Sequence, residues 1–419
     1  MIEAGDEVEI KKGGKVYRGI VMPHHIFSDK NILVIKLPSG YNMGVDVRKC
    51  EVKILRKGKR MERKMPSITH DKNKPTIALI GTGGTIASYV DYETGAVHPT
   101  ATAEELAFAA PEVFQLCNVE ADVLSQKLSE NITPQDWQRM AKRAGKYLKN
   151  GKPVVIAHGT DTMAYSSAAL SFMLQNLPAP VVFVGSQRSS DRPSSDAFFN
   201  LMASVRVALT DIGEVVVVMH SSISSKSAFI HRGTKVRKMH SSRRDAFLSV
   251  NARPIGKVEG DKIIFTGEYN KRKRSGLVIK TALEKEVALV YYHPGMKKED
   301  FEKMVEGKKG VVIAGTGLGH VGNHLIPSIK KLAKNGVPVV ITTQCLWGRV
   351  NMNVYSTGRK LMKAGVISGH DMLPEVAWIK LMWVLANDDD VENAMMKNIA
   401  GEISERHDID AKKFIFTDV

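Results

Sequence analysis

The sequence predicts an α/β protein with a large doubly wound α/β domain and a smaller C-terminal α/β domain, preceded by a small SH3-like or Sm-like β-barrel. Three observations predict it. The first 55 residues read as short alternating strands separated by tight turns. From Thr76 onward, apolar Val/Ile/Ala runs alternate with stretches of helical period, as parallel strands buried on both faces do. A polar, basic stretch near 257–285 interrupts this rhythm, which then resumes.

Bulk properties narrow the class. The chain has 419 residues, enough for two to three domains and for cores that need no disulfide staples. Hydrophobic residues make up 43% and charged residues 25%, so disordered and fibrous classes are excluded. Cys50, Cys117 and Cys345 form no CxxC pair, so neither a disulfide framework nor a zinc module is expected, and a reducing cytoplasm is. The longest apolar stretch, 372–386, is interrupted by Glu375 and Lys380, which argues against a membrane span. The acidic, alternating start MIEAGDEVEI is no signal peptide.

The formal net charge is +16. Such a charge favours acidic partners, nucleic acid among them, without specifying a fold. It is concentrated in Lys53–Lys64, Arg232–Arg244 and Lys271–Arg274. Solvated loops and linkers are the first reading of these runs, and RNA contact is the second.

Taken in order, residues 1–55 form the barrel. Val8 and Ile10 alternate with charged residues, Gly13-Gly14 makes a turn, and 16–22, 31–37 and 51–55 supply further strands. Residues 56–75 lose all periodicity and read as a basic linker. The large domain spans 76–256. Its strands are TIALI from Thr76, PVVIA from Pro153, PVVFV from Pro180 and EVVVVM from Glu214. Between them lie helical patterns over 134–148, 164–174 and 197–209, the first opened by the cap-like Thr133. Residues 257–285 read as a second linker. The smaller domain, 286–419, has strands at VALVYY, GVVIA and PVVIT and helices over 325–335 and 373–385.

Chemistry in open α/β sheets gathers at the carboxyl ends of the strands. The first such end is Gly81-Thr82-Gly83-Gly84-Thr85-Ile86. It lacks the glycine that a dinucleotide loop needs at Ile86 and the Gly-Lys-Ser/Thr of a P-loop. Gly315-Thr316-Gly317-Leu318-Gly319-His320 fails in the same way at His320. The glycines instead allow a substrate close to the backbone, with the Thr85 hydroxyl aimed at it. The second end is His158-Gly159-Thr160-Asp161-Thr162-Met163, where a hydroxyl and a carboxylate share one turn. A carboxylate there suits the ammonium of an α-amino acid. The third stretch, Val236-Arg237-Lys238-Met239-His240, is cationic. The histidines show no HxH or HExxH spacing, so no metal is expected.

Thr82-Gly83-Gly84-Thr85-Ile86-Ala87 and His158-Gly159-Thr160-Asp161-Thr162-Met163, with Gly185-Ser186-Gln187-Arg188, Asp196 and Phe199-Asn200-Leu201, resemble the bacterial-type L-asparaginase family over about 76–390. The resemblance implies an asparaginase-like fold with Thr85 as nucleophile. It implies that Thr160, Asp161 and Lys238 complete the catalytic set, with Lys235 the neighbour most easily mistaken for Lys238. Gly84, Ser129 and Glu130 are implied to bind substrate. The family's mobile-loop tyrosine would fall near Ala96, where none stands; Tyr89 and Tyr92 lie nearby and the role stays open.

A lone threonine hydroxyl is a weak nucleophile, so a base must take its proton. A lysine can serve when burial or nearby cations lower its pKa, and Arg237, Arg243 and Arg244 are the candidates to help. Backbone N–H groups of Gly-rich turns can hold the oxyanion.

Plain asparaginases lack the N-terminal barrel. That barrel, the linker and Gln344-Cys345-Leu346-Trp347-Gly348-Arg349-Val350 are similar to the glutaminase subunits of archaeal tRNA-dependent amidotransferases. This second resemblance implies hydrolysis of L-glutamine and delivery of ammonia to an amidotransferase E subunit. That partner would use ATP and Mg²⁺ to convert Glu-tRNA(Gln) to Gln-tRNA(Gln), in a heterotetramer built on a homodimer of this chain. No cofactor is expected in the chain itself. The alternative is a free-standing L-asparaginase with an accessory domain. An inactive RNA-binding protein is disfavoured by the intact Thr85, Thr160, Asp161 and Lys238 set.

Overall fold

The N-terminal alternation becomes a five-stranded antiparallel sheet in the computed structural model, which describes residues 2–3, 5–22, 31–37, 42–58, 70–83, 88–90, 97–99, 110–188, 195–223 and 227–406. Strands β1 (Glu7–Lys12), β2 (Lys15–Val21), β3 (Ile32–Lys36), β4 (Asn42–Asp46) and β5 (Glu51–Arg56) run in the order β4-β3-β2-β1-β5. β5 returns to the open edge of β1, the step that curls a short meander toward a barrel. Val8, Ile10, Val21, Ile35 and Val45 fill the inside. Gly13 and Gly14 both take positive φ, as the two-residue turn between β1 and β2 requires.

The large sheet begins at β6 (Thr76–Gly81). A hairpin of β7 (Ser88–Val90) and β8 (Val97–Pro99) follows, then β9 (Asn118–Val123), β10 (Val154–Ala157), the short β11 (Leu174–Gln175), β12 (Val181–Val184) and β13 (Val215–His220). Strands β9-β6-β10-β12-β13 are parallel neighbours. Successive residues of each strand face opposite layers. Ile80, Ile156 and Phe183 pack with helices Pro134–Lys149 and Met163–Met173. Leu79, Val155 and Val182 pack with helix Ala197–Ala208 on the other side. Continuous apolar strands are the direct consequence of two covered faces.

Beyond β13 the sheet turns antiparallel through β14 (Ser227–Arg232). A separate hairpin, β15 (Val236–Lys238) with β16 (Phe247–Ser249), leaves the sheet before β17 (Gly256–Glu259) and β18 (Lys262–Phe265) close its edge. The 257–285 linker reading is thereby corrected. Its first part is a sheet hairpin turning at Gly260, and Val278–Ile279 is β19, paired with β11. Lysines and glutamates on an exposed edge mask the alternation.

The smaller sheet is parallel throughout, in the order β20 (Val287–Tyr291), β21 (Gly310–Gly315), β22 (Val339–Thr343) and β23 (Ile367–Ser368). Phe301, Ile329 and Leu361, from helices Lys298–Val305, Ile326–Lys334 and Ser356–Lys363, cover one face. Helix Pro374–Asn387 covers the other and packs against helix Met163–Met173, merging the two cores. Trp137 meets Trp378 edge-on with ring centroids 6.1 Å apart, and Trp383 stacks near Phe172. No helix among the described residues is long and apolar enough to cross a membrane.

The chain then doubles back. Buried Glu402 receives Lys380 Nζ at 2.6 Å and accepts the Ile399 and Ala400 N–H groups. The Ala400 carbonyl accepts the Thr234 hydroxyl at 3.0 Å, and the Ser404 hydroxyl donates to the Asn251 carbonyl at 3.2 Å. Thr234 and Asn251 bracket the β15–β16 hairpin, so the last described turn clamps its base.

Candidate active site

The site grows from the carboxyl ends of β6 and β10. Thr82 is buried, and its N–H and hydroxyl both bond the Ala157 carbonyl, at 3.0 and 2.9 Å. Its own carbonyl accepts the Lys127 N–H and the Ser125 hydroxyl. Gly83 takes φ +118° with Lys127 backbone against the place a Cβ would occupy, so glycine is obligatory there. Lys127 Nζ in turn reaches Asp136, which closes a capping box with Thr133 at the start of helix Pro134–Lys149. Burial pushes the Asp136 carboxyl up, but Lys127 and Thr133 outweigh it and hold it below its usual value. The backbone entering the Gly-rich turn is therefore fixed on both sides. Gly84 and Thr85 themselves lie outside the described residues, as do Tyr92 and Ala96; Tyr89 falls in β7.

β10 delivers the second group. His158 is fully buried, with Nδ1 2.7 Å from the Gly159 carbonyl and Nε2 2.9 Å from Ser166 Oγ. A carbonyl opposite Nδ1 requires the proton there, so Nε2 accepts from Ser166. Burial, against the pull of the Gly159 carbonyl, pushes the imidazole down to about 4. His158 is a neutral prop. It turns the chain at Gly159 into the 3₁₀ turn Thr160–Thr162, where Thr160 and Asp161 stand at the sheet's end.

β15 supplies the cation. Lys238 Nζ lies 2.8 Å from Thr160 Oγ1 and 2.7 Å from Asp161 Oδ1. The lysine side chain is 12% exposed, while that of Asp161 is 66% exposed and open to a ligand. The Asp161 carboxylate accepts from Lys238 through Oδ1. Lys235 goes elsewhere, into a buried pair with Asp371 at 2.6 Å. Arg237 faces Glu375, Arg243 faces Asp245, and Arg244 donates to the Ile223 carbonyl. The 232–244 run is thus no solvated face, since Arg232 also pairs with Glu214. Nor are Arg243 and Arg244 bonded to Lys238.

Ser129 joins the same corner. Its Oγ accepts the Thr162 N–H at 3.0 Å, and the Thr162 hydroxyl donates to the Ser129 carbonyl at 2.8 Å. A Cβ on Gly159 would stand 2.8 Å from Ser129 Cβ, so the two turns touch only because residue 159 is glycine. Glu130 is exposed beside it. Thr162 is a positioning residue that its motif conceals, because the motif directs attention to Thr160 and Asp161. The Gly185-Ser186-Gln187-Arg188 motif has a structural job. Asp196 accepts the Gln187 and Arg188 N–H groups, and Asn200 holds the Gly185 carbonyl. Gly185 leaves room for His158 and Thr160, which lie within 3 Å of the place its Cβ would take.

Residues 76–271 match the family model "Asparaginase, N-terminal", 286–395 match "Glutaminase/Asparaginase C-terminal domain", and 2–55 match "GatD N-terminal domain". The D subunit of the glutamyl-tRNA(Gln) amidotransferase of Pyrococcus furiosus is 52% identical over 417 residues, covering 96% of this chain and 95% of that protein. The chain belongs to the family of glutamyl-tRNA(Gln) amidotransferase D subunits. The D subunit of Saccharolobus solfataricus is 48% identical, with 98% and 94% covered. Among solved structures, the thermostable L-asparaginase of Thermococcus kodakarensis superposes with a TM-score of 0.72 at 31% identity, over 79% of this chain and all of that one. L-asparaginase I of Vibrio cholerae gives 0.69 at 29%, over 79% and 99%. The two α/β domains are therefore of the asparaginase hydrolase type, and the N-terminal sheet is what the D-subunit family adds.

Proposed function

We propose that this chain is the glutaminase subunit of a Glu-tRNA(Gln) amidotransferase. The contact of Lys238 with Thr160 and Asp161, at strand ends beside the Gly83 turn, carries the reading. In this mechanism the Thr85 hydroxyl attacks the side-chain amide of glutamine. Lys238, acting as the neutral amine, takes the Thr85 proton through the Thr160 hydroxyl and returns it to the departing amide nitrogen, while backbone N–H groups of the Gly83-Gly84 turn hold the oxyanion. Collapse releases ammonia and leaves a γ-glutamyl ester on Thr85. Water, activated by the same Thr160–Lys238 pair, then frees glutamate. Asp161, two-thirds exposed, holds Lys238 and receives the substrate ammonium, while Ser129 and Glu130 frame the rest of the amino acid.

Ammonia passes to the E subunit, which activates Glu-tRNA(Gln) with ATP and Mg²⁺ in the cytoplasm. Because ammonia made without an acceptor is wasted, partner and charged tRNA favour the assembled site. The test is glutamine turnover by the chain alone, with partner, and with partner plus Glu-tRNA(Gln), for wild type and Thr85→Ala. Rising rates across the three, at least 10²-fold loss in Thr85→Ala, and intact ammonia-dependent amidation support the reading. Equal rates in all three, with asparagine preferred, would replace it with a free-standing L-asparaginase.

A further inference from the structure

β15 carries two adjacent cations with different destinations. Side chains alternate along a strand, so Lys238 faces Thr160 and Asp161 while Arg237 faces the smaller domain. There Arg237 Nε stands 3.5 Å from Glu375 Oε1. Glu375 lies in the first turn of helix Pro374–Asn387, with its side chain 4% exposed. Its second oxygen, Oε2, is buried without a partner. Burial pushes this carboxyl up against the opposing charge of Arg237. The phenols of Tyr165 and Tyr291 are pushed up as well, by burial first and by Glu375 next. Tyr165 belongs to the helix that follows Thr160–Thr162 directly. One carboxylate from the smaller domain thus pairs with Arg237 of β15 and acts electrostatically on Tyr165, in the helix that follows the Thr160 turn.

A pair built only for stability would look like Lys235–Asp371, buried on both sides at 2.6 Å with its second oxygen bonded to the Ser404 N–H. Arg237–Glu375 is longer and leaves one oxygen empty, an arrangement that burial alone disfavours. Its effect falls on geometry. β15 has three residues and one ladder neighbour, so the direction of Lys238 depends on what holds the strand's opposite face.

We propose that Glu375 is a positioning residue for amide hydrolysis, anchoring Arg237 from the smaller domain and so fixing Lys238 Nζ between Thr160 and Asp161. The inference rests on Lys238 belonging to the catalytic set. Its test therefore has one readout that needs no turnover. In the full-length chain, competitive labelling with an amine-acylating reagent reports the reactivity of Lys238. Glu375→Gln, isosteric and uncharged, should change that reactivity at least threefold while lowering kcat about tenfold and leaving KM within twofold. Arg237→Gln should do the same, the double variant should be no worse than either single, and Glu375→Asp should recover part of the rate. Labelling and kcat unchanged in Glu375→Gln would overturn the inference. Unchanged labelling with a lost rate would overturn it too, since the effect would not run through Lys238. Changed labelling in a chain that hydrolyses no glutamine would uphold the positioning and sink only the glutaminase reading. Should Glu375→Gln fail to fold, Arg237→Gln, altered at a side chain one-third exposed, carries both readouts.

Discussion

Lys238 Nζ and Asp161 Oδ1 meet at 2.7 Å although 77 residues separate them in the chain. The encounter depends on β10 and the β15–β16 hairpin being held by different parts of the molecule. β10 is central in the large sheet, whereas the hairpin is pinned to the smaller domain through Lys235 and Arg237. The strand that carries Lys238 is therefore held from both domains.

Groups that act as one unit lose function together. Lys238→Met should lower kcat/KM for glutamine by about 10²- to 10⁴-fold, the range for losing a general base. Adding Asp161→Asn to Lys238→Met should cost less than about tenfold more in kcat, while the lost contact to the substrate ammonium raises KM. Steady-state ammonia release across the double-mutant cycle measures this. Multiplicative losses in kcat would mean that Asp161 and Lys238 act apart.

The two lysines of the hairpin should separate stability from catalysis. Lys235→Met strands a buried Asp371 and should destabilise the fold by about 3–5 kcal/mol. Lys238→Met leaves a carboxylate that is mostly solvated, and should shift stability by less than about 1 kcal/mol. Urea unfolding of the two variants gives the comparison.

Gly159→Ala tests the contact between turns. The added methyl would sit 2.8 Å from Ser129 Cβ and 2.9 Å from Ser129 Oγ, so one of the two turns must move. Displacement of either the substrate side or the Thr160 side should lower kcat/KM at least tenfold, because misplacement of about 1 Å costs on the order of 10²-fold. A variant with normal kinetics would show that the Ser129 turn yields freely.

Acid should weaken the molecule through its histidines. Burial pushes His158 and His220 down to about 4 and His231 to about 3. In the unfolded chain each titrates near the ordinary value of about 6.5. Between that value and the folded ones the unfolded state binds more protons. The neutral buried form thus contributes fully above about pH 6.5, and its contribution is lost as the pH falls through the window toward 4 and 3. Replacing His231, whose Nδ1 bonds Ser249 Oγ, with Gln should flatten the fall in stability across that window by close to one proton. Denaturation midpoints at several pH values provide the slope, and an unaltered slope would count against a neutral His231.

The N-terminal sheet should be dispensable for chemistry. Asp71 and Lys74 are tied to the large domain by Asn118, so a chain beginning at Asp71 keeps its first anchor. Deleting 1–70 should leave basal glutamine hydrolysis within about twofold and weaken assembly with the partner. Retained assembly and amidation would leave the sheet without either role.

Much of this is legible in the sequence because local pattern and global fold agree. The β6, β10 and β12 strands announce burial on both faces through unbroken Val, Ile and Ala, and Thr133 announces its helix. Thr160 and Asp161 can be placed because a motif sits where a strand ends. The choice of Lys238 over Lys235 cannot come from spacing, because both lie in one cationic run and only the fold shows which faces β10 and which faces Asp371. Glu375 leaves no trace at all. Within Pro374-Glu375-Val376-Ala377-Trp378 it reads as the acidic first turn of an ordinary helix, and its meaning depends on Arg237 in another domain. The hairpin at 256–265 is hidden by Lys and Glu on an exposed edge, where alternation is weak evidence.

The clamp formed by residues 399–404 has a consequence for biosynthesis. Every strand of the large sheet, and the Thr160–Thr162 turn with them, is synthesised long before Asp371, Glu375 and Ser404. Until then Lys235 has no counter-charge, and the hairpin bearing Lys238 has neither its smaller-domain contacts nor its closing turn. The segment that completes the cationic corner thus emerges from the ribosome after everything it holds in place. A half-made or prematurely ended chain would lack the contacts that hold Lys238 in its place.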